Sequence, residues 1–361
     1  MSMTIDNAIS NMVKRIITLE STTASLSDDM KELSENSGNY SLVYVSAGTS
    51  GKTVTATITN GETVTETFDS NGKCTFKLKY AGDYTITSNG ITVTVTVPAL
   101  GSIVNTALVP SFNNASWSTI SSLLTMHYNG DIDLTDYWKV GDIKENVSLS
   151  AMSATGVGES QSAQTVDLVI IGTNHDTISS NSKKAAFTIT QKDSLSTKGY
   201  MNSSYSSYTY AKYSSCSRRT WINNIYYNAL PSELQSLIKT VNKTTAEPAS
   251  SSERPTTTII SSTEKCFIPS CYEMFGTSYT YSDSGTSGVN KSDGTQYEYY
   301  KTTNNRLKYL GKGSSTFSYP WTRSGFVYSD GDAGFVIVYA DGSASGYYAS
   351  GSNGVCPAFC I

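Results

Sequence analysis

Between Thr53 and Val97 apolar and polar residues alternate, a period of two that suits an extended strand with one covered face. The clearest runs are Thr53-Val54-Thr55-Ala56-Thr57-Ile58-Thr59, Val64-Thr65-Glu66-Thr67-Phe68, Thr75-Phe76-Lys77-Leu78 and Ile91-Thr92-Val93-Thr94-Val95-Thr96-Val97. Asn60-Gly61, Asn71-Gly72 and Asn89-Gly90 punctuate them. Asn-Gly tolerates the positive φ of tight hairpin turns, so the pairs predict hairpins. Residues 37–98 are expected to form a small β-sandwich whose core is built by Val, Thr and Ile.

Residues 1–36 carry a different period. Ile5, Ile9, Met12, Ile16, Leu19, Thr23, Leu26, Met30 and Leu33 follow one another at alternating spacings of four and three. That pattern predicts a coiled coil with Ile9, Ile16, Thr23 and Met30 at a and the others at d; Ile at both positions leans toward three strands. The polar run Ser34-Glu35-Asn36-Ser37-Gly38-Asn39 ends it.

The remaining residues, 99–361, mix both periods. Trp117, Ile120, Leu123 and Leu124 share one helical face after a polar start at Ser116. Further helices are expected around Trp221, Ile222, Ile225 and Tyr226, and from Pro231 through Leu234, Leu237 and Ile238. Val166 to Ile171 and Ala185 to Ile189 read as strands, and the Ser/Thr-rich stretch from Thr244 to Ser262 as a loop. Phe335 to Ala340 reads as a strand, Asp341-Gly342 as a tight turn and Ser343 to Tyr348 as the return strand.

Composition narrows function by exclusion. Lys and Arg number 26 against 30 Asp and Glu, for a net charge of -4, and no basic stripe invites nucleic acid. No stretch approaches the roughly 18–20 apolar residues of a membrane helix. The start, Met1-Ser2-Met3-Thr4-Ile5-Asp6, lacks the basic-then-apolar pattern of a secretory signal, so synthesis in a cytoplasm is expected. Cys74, Cys216, Cys266, Cys271, Cys356 and Cys360 have no zinc-type CxxC spacing and are expected as free thiols. Of two histidines, His175 in Asn174-His175-Asp176 has no recognisable catalytic partner, and a structural hydrogen bond is the better reading. No HExxH, P-loop or GxSxG occurs, and no cofactor is expected.

What stands out is the stretch from Gly325 to Gly354, bracketed by Trp321-Thr322-Arg323-Ser324 and Val355 to Ile361. Of its thirty residues, twenty are Gly, Ser, Tyr, Asp or Asn, and none is Lys, Arg or Glu. Tyr gives large contact area at low entropic cost while Ser, Gly and Asn give adaptable hydrogen bonding, the mixture of antibody paratopes. Recognition is therefore expected over catalysis. Asp330 and Asp332 could ligate calcium, but a solvated loop is the simpler reading, and Glu247-Pro248-Ala249 lacks the amide of a sugar-binding calcium site.

Several motifs carry resemblances. Gly82-Asp83-Tyr84-Thr85-Ile86 resembles a strand of carboxypeptidase-regulatory-like and Ig-like modules, which implies a spacer. Tyr137-Trp138-Lys139-Val140-Gly141-Asp142, Ile171-Gly172-Thr173-Asn174-His175-Asp176, Tyr200-Met201-Asn202-Ser203-Ser204 and Trp221-Ile222-Asn223-Asn224-Ile225-Tyr226-Tyr227-Asn228-Ala229-Leu230-Pro231 come in that order. Phe267-Ile268-Pro269-Ser270, Trp321-Thr322-Arg323-Ser324 and Gly354-Val355-Cys356-Pro357-Ala358-Phe359 follow. Over Ser116 to Ile361 this resembles an uncharacterised family of gut bacteria and their prophages, similar to the C-type-lectin and formylglycine-generating-enzyme class. Cys356 departs from it, standing where family ends often carry Arg.

The resemblance implies a target of diversity-generating retroelements, akin in function to the phage receptor-binding proteins called major tropism determinants, with a variable region over 319–357. By that analogy Phe326, Tyr328, Asp330, Asp332, Ile337, Tyr339, Ser343, Tyr347, Tyr348 and Asn353 are the expected ligand contacts, on a scaffold held by Trp321 and Arg323. The expected fold class is multidomain α+β: a trimeric coiled-coil helix (1–36), an Ig-like β-sandwich (37–98) and a C-type-lectin-like domain (99–361). The expected function is a phage or prophage tail receptor-binding protein, in the virion at the tail tip. Its partners would be a bacterial surface protein or glycan and, through its N-terminus, other tail or baseplate proteins, without nucleic acid or membrane insertion. A bacterial ligand-display adhesin with the same head is the first alternative. A formylglycine-generating-type oxidase using Cys356 and Cys360 is the second.

Overall fold

The computed structural model describes residues 40–59, 61–281 and 287–361. The heptads of residues 1–36 lie outside the described residues. Two compact units divide the chain, Met1–Pro110 and Ser111–Ile361.

In the first unit, β1 (Ser41–Ser46), β4 (Cys74–Leu78) and β7 (Ile103–Ala107) form one sheet in the order β4-β1-β7. A second, in the order β3-β2-β5-β6, takes β2 (Thr53–Ile58), β3 (Thr63–Thr67), β5 (Gly82–Ser88) and β6 (Ile91–Val97). Alternation sorts the side chains: Val54, Ala56, Tyr84, Ile86, Val95 and Val97 are buried while intervening residues reach solvent. Asn89 and Gly90, at φ 48° and 79°, make the tight turn that joins β5 to β6. Asn71-Gly72 does something else. Its turn, closed by Gly72 N–H to the Asp69 carbonyl at 3.0 Å, leads from β3 into β4, a strand of the other sheet. The Tyr84 hydroxyl donates to the Tyr80 carbonyl (3.1 Å) and ties the entry of β5. β7 lies past Pro98 and pairs in parallel with β1, so this unit closes at Pro110.

The second unit opens with α1 (Trp117–Asn129), capped by the Ser116 side chain at one end and by Gly130 at φ 83° at the other. It buries Ile120, Leu123 and Leu124. β8 (Ile143–Leu149), β9 (Gln164–Thr173), β11 (Phe187–Gln191), β14 (Cys266–Phe267) and β20 (Ala358–Cys360) form an antiparallel sheet ordered β14-β20-β11-β9-β8. The C-terminal strand is thus an interior strand, and α1 secures its end: the Tyr128 hydroxyl donates to the Ile361 carbonyl (3.1 Å) and accepts from Ala186 N–H (3.0 Å). β10 (Thr177–Ile178), β12 (Val241–Ala246) and β13 (Ile259–Glu264) make a second sheet, and β15 (Tyr279–Tyr281) pairs with β16 (Ser287–Val289). A last antiparallel sheet orders β17 (Trp321–Val327), β18 (Ala333–Val338) and β19 (Ala344–Tyr348).

Three expectations need correction. The α+β class, with coiled coil, Ig-like sandwich and C-type-lectin-like domain, gives way to a mostly β chain with short helices: the described residues hold no coiled-coil helix, and α1, at 13 residues, is their longest helix. The helix around Trp221 is broken into α2 (Ser217–Trp221), a π turn over Ile222–Tyr226 and a short end at Tyr227–Ala229. The π turn shifts the helical face, so Tyr226 is buried and Ile225 only partly. The Thr244–Ser262 loop is shorter than read, because both of its ends belong to the β12–β13 pair; the helix expected from Pro231 is present as α3 (Ser232–Leu237), with Pro231 at its N-cap, Leu234 and Leu237 buried and Ile238 just past its end.

Phe359, wholly buried on β20, sits between β11 and β14. Phe359→Ala is expected to cost about 3–5 kcal/mol, measured as a lowered urea midpoint for the second unit.

Candidate functional site

The hairpin β18–β19 follows from local chemistry. Tyr339 N–H bonds the Ser343 carbonyl (2.8 Å), Gly342 N–H bonds the Tyr339 carbonyl (2.9 Å), and the Asp341 carboxylate accepts from Ser343 N–H (2.9 Å). Gly342 holds φ 80°, which a side chain disfavours. β18 is buried along its whole length, whereas β19 ends in two exposed tyrosines, Tyr347 and Tyr348.

Adjacent on a strand, they point to opposite faces, and Tyr347 meets Trp321 edge-on (centroids 6.3 Å). Tyr348 packs against Tyr205 on one side (centroids 4.8 Å) and Tyr328 on the other (4.6 Å). Tyr328 leans edge-on against Phe326 (4.8 Å), which meets Tyr279 at 6.1 Å. The ladder runs from surface to core: Tyr205 and Tyr348 are 40% and 39% exposed, Tyr328 6% and Phe326 0%. Glycines make room for it. A Cβ on Gly334 or Gly346 would fall 2.7 or 2.6 Å from the Phe326 ring, and one on Gly351 would fall 2.1 Å from that of Tyr347. Tyr205 arrives because its segment zips onto the tyrosine-rich stretch: Met201 and Asn202 N–H bond the Ala349 carbonyl (both 3.0 Å) and Ala333 N–H bonds the Tyr205 carbonyl (2.7 Å).

The structure therefore sorts the ten expected contacts. Asp330, Tyr339, Ser343, Tyr347 and Tyr348 are exposed and Asp332 is partly so. Phe326, Tyr328, Ile337 and Asn353 are buried, and their assignment as contacts is corrected: Phe326 and Tyr328 pack with Val336 beneath Tyr348, and Ile337 lies on the other side of β18, paired with Trp321. Asn353 is held by backbone bonds to Gly199. Tyr339 stands apart from the ladder, against Tyr319 (5.4 Å), over which Lys198 lies. Tyr205 was missed because it is far away in sequence and no local pattern marks it.

Beneath the face lies a charge network. The Arg323 guanidinium is fully buried and grips Glu273 with two nitrogens, Nη1 to Oε2 at 2.5 Å and Nη2 to Oε1 at 2.9 Å. Its other donors reach the carbonyls of Thr244 (2.8 Å) and Ile268 (2.9 Å). Glu273 also completes a capping box with Ser270 at the start of α4 (Cys271–Phe275). Lys243, itself buried, bridges Glu273 to Asp176 (2.6 Å to the latter). Asp176 further accepts from the hydroxyls of Thr188 (2.5 Å) and Tyr297 (2.8 Å). Burial disfavours the ionised carboxyls, but Arg323 and Lys243 outweigh it at Glu273, and Lys243 with His175 at Asp176, so both stay below the usual range. Burial likewise disfavours the Arg323 cation, and Glu273 reverses that.

Trp321, 1% exposed, donates its indole N–H to the Gly199 carbonyl (2.8 Å). Burial pushes the thiols of Cys356 and Cys360 up, away from the thiolate that redox chemistry uses. Cys356 Sγ donates to the Gln191 carbonyl (3.1 Å), whereas Cys360 Sγ lies by Asp176 (3.5 Å).

Residues 181–361 match a protein family described as a domain of unknown function (DUF6273), and they take in β11 through β20. The chain belongs to that family. No curated protein and no solved structure matches it. The match contains the tyrosine ladder and, except for Asp176, the whole buried charge chain.

Arg323→Ala is expected to cost about 3–5 kcal/mol, because it leaves Glu273 buried without its bidentate partner; equilibrium urea unfolding measures it. Asp176 and Glu273 are depressed in the folded chain, so their contribution is complete above about pH 5 and fades as the pH falls through their folded values. The wild-type urea midpoint should hold from pH 7 to about 5 and drop below. In Arg323→Ala the drop should begin at higher pH, since Glu273 then keeps its proton longer.

Proposed function

We propose that this protein is a recognition protein, a receptor-binding protein of a phage or prophage tail that contacts a bacterial surface ligand. Its binding surface is the tyrosine face of β18–β19 and the segment around Tyr205. The observation that carries this reading is the pair of large exposed tyrosines, Tyr205 and Tyr348, stacked on Tyr328 and Phe326, with Tyr347 exposed on the other face of β19 over Trp321. Exposed aromatics are costly to leave in water without a purpose, and a cluster of them marks contact surface. Tyr offers an apolar body and a polar tip with few rotatable bonds, so little entropy is lost on binding. Asp330 is exposed in the turn from β17 to β18, beside Tyr328.

The buried parts suit this role. A face that can change its contacts without unfolding needs a floor that does not depend on them. Phe326, Val336 and the Arg323–Glu273 pair supply one, because all of them are buried. The setting on a virion comes from the resemblance in sequence, and the tyrosine face is what makes adsorption physically reasonable.

Tyr347→Ala and Tyr348→Ala should each weaken adsorption of the protein to its host cells by about tenfold or more, as expected for interface aromatics. Their melting temperatures should stay within a few degrees of wild type. Phe326→Ala, by contrast, should lose about 3–5 kcal/mol of stability. Adsorption unchanged in both tyrosine variants, or a Tyr347→Ala protein that no longer folds, would overturn the reading.

A further inference from the structure

Lys243 is set apart from the other lysines. Among the described residues, the other lysine–carboxylate pairs, Lys301–Glu298 and Lys312–Asp167, reach solvent. The buried Lys144 and Lys308 bond backbone carbonyls. Lys243 is buried between two carboxylates: its side chain is 2% exposed, that of Asp176 5% and that of Glu273 2%. Nζ lies 4.2 Å from the centre of the Phe267 ring, and Phe267 and Tyr297 belong to a core cluster with Val169, Ile171 and Val241. Asp176 sits between β9 and β10, and Lys243 on β12, 67 residues later.

An ammonium and a carboxylate held in contact are also the reactants of an amide condensation, and the groups around this pair suit that reaction. Nζ is 2.6 Å from Asp176 Oδ1. The other oxygen, Oδ2, accepts from the hydroxyls of Thr188 (2.5 Å) and Tyr297 (2.8 Å). Tyr297 can donate there because its oxygen accepts from the ammonium (2.9 Å). Two fixed donors therefore sit where negative charge develops when a nucleophile adds to Cγ. Glu273 Oε1 touches Nζ, and Arg323 holds Glu273 ionised, able to take a proton from the amine. Well-oriented groups on one chain reach effective concentrations of about 10⁵ M or more, which favours bond formation over hydrolysis. Condensation also replaces a buried ion pair, costly to desolvate, with a neutral group. The new amide keeps its partners, since its N–H faces Glu273 and its oxygen faces Thr188 and Tyr297.

We infer that Lys243 and Asp176 join spontaneously in an amide cross-link between Nζ and Cγ, with loss of one water and with Glu273 as proton carrier. One ammonium proton passes along the hydrogen bond to Oδ1. The freed Nζ electron pair attacks Cγ, and the C=O π pair moves onto Oδ2. Glu273 takes a second proton from Nζ. The Oδ2 pair then re-forms the double bond, the Cγ–Oδ1 bond breaks with its pair on oxygen, and the departing hydroxide takes the proton back from Glu273 and leaves as water. No oxidant or co-reactant is needed. Asp176 no longer titrates in the bonded chain, so the acid-side loss of stability then rests on Glu273. The cross-link does not depend on what the tyrosine face binds.

The test is intact-mass spectrometry of the denatured full chain, after overnight incubation of the folded protein at neutral pH, followed by protease mapping. Wild type should weigh one water less than its sequence, and its digest should hold a branched peptide joining the Asp176 segment to Lys243. Lys243→Arg, which keeps a cation between the carboxylates, should lose no water and yield no branched peptide. Glu273→Gln should slow bond formation by about a hundredfold and leave most of the chain at full mass. A thermal melt checks that the variants fold; should Glu273→Gln fail to fold, the wild-type and Lys243→Arg masses decide alone. Wild type at full sequence mass overturns the proposal, as does a water loss that persists in Lys243→Arg. A folded Glu273→Gln chain that bonds as completely as wild type overturns the part given to Glu273.

Discussion

The second unit depends on one bidentate ion pair, Arg323 to Glu273. A guanidinium taken wholly out of water is tolerable only if its donors are used, and here they meet a carboxylate and the carbonyls of Thr244 and Ile268. Those partners come from separate stretches of chain. Arg323 is on β17, Thr244 on β12, Glu273 on α4, and Ile268 just beyond β14. The pair therefore fixes how these elements meet, and Lys243 extends the constraint to Asp176 after β9 and to the Tyr297 hydroxyl. Such a chain tolerates little rearrangement, since removing any member leaves a buried charge behind.

That rigidity gives the surface its freedom. Tyr348 rests on Tyr328 and Phe326, and Tyr347 rests on Trp321 from the other face of the sheet; both lie on strands anchored by Arg323 and Trp321. Gly334 and Gly346 let Phe326 lie across neighbouring strands where a methyl group would collide with it. Small residues in the tyrosine-rich stretch thus have two uses. Some make turns, as Gly342 does, and others vacate space under aromatic rings. Composition alone does not separate them.

Much of the local structure was legible in the sequence. Asn89-Gly90 and Asp341-Gly342 were read as turns because their residues accept positive φ, and both are turns. The helix after Ser116 was visible from its cap and its apolar face. Legibility failed where both sides of a strand are covered. β17 and β18 are buried on both faces, so no alternation distinguishes inward from outward residues, and Phe326 and Ile337 were taken for contacts. It failed again at β12 and β13, whose Thr and Ser residues look like loop in sequence and become strand because each supplies the other's backbone partners. The π turn after Trp221 has no sequence signal that periodicity detects.

The sequence by itself determined the elements whose cause is local: the alternating strands of the first unit, the caps of α1, the β18–β19 hairpin, and the location of a tyrosine-rich stretch between two core-forming brackets. The capping-box spacing of Ser270 and Glu273 is a signal that the sequence reading passed over. Only the tertiary structure decided which tyrosines reach solvent, that Tyr205 joins Tyr348, and that Glu273 meets Arg323 and Lys243. Each of those contacts joins residues far apart in the chain. Their pairing is set by strand order and by the need to satisfy buried charge, which no short window of sequence encodes.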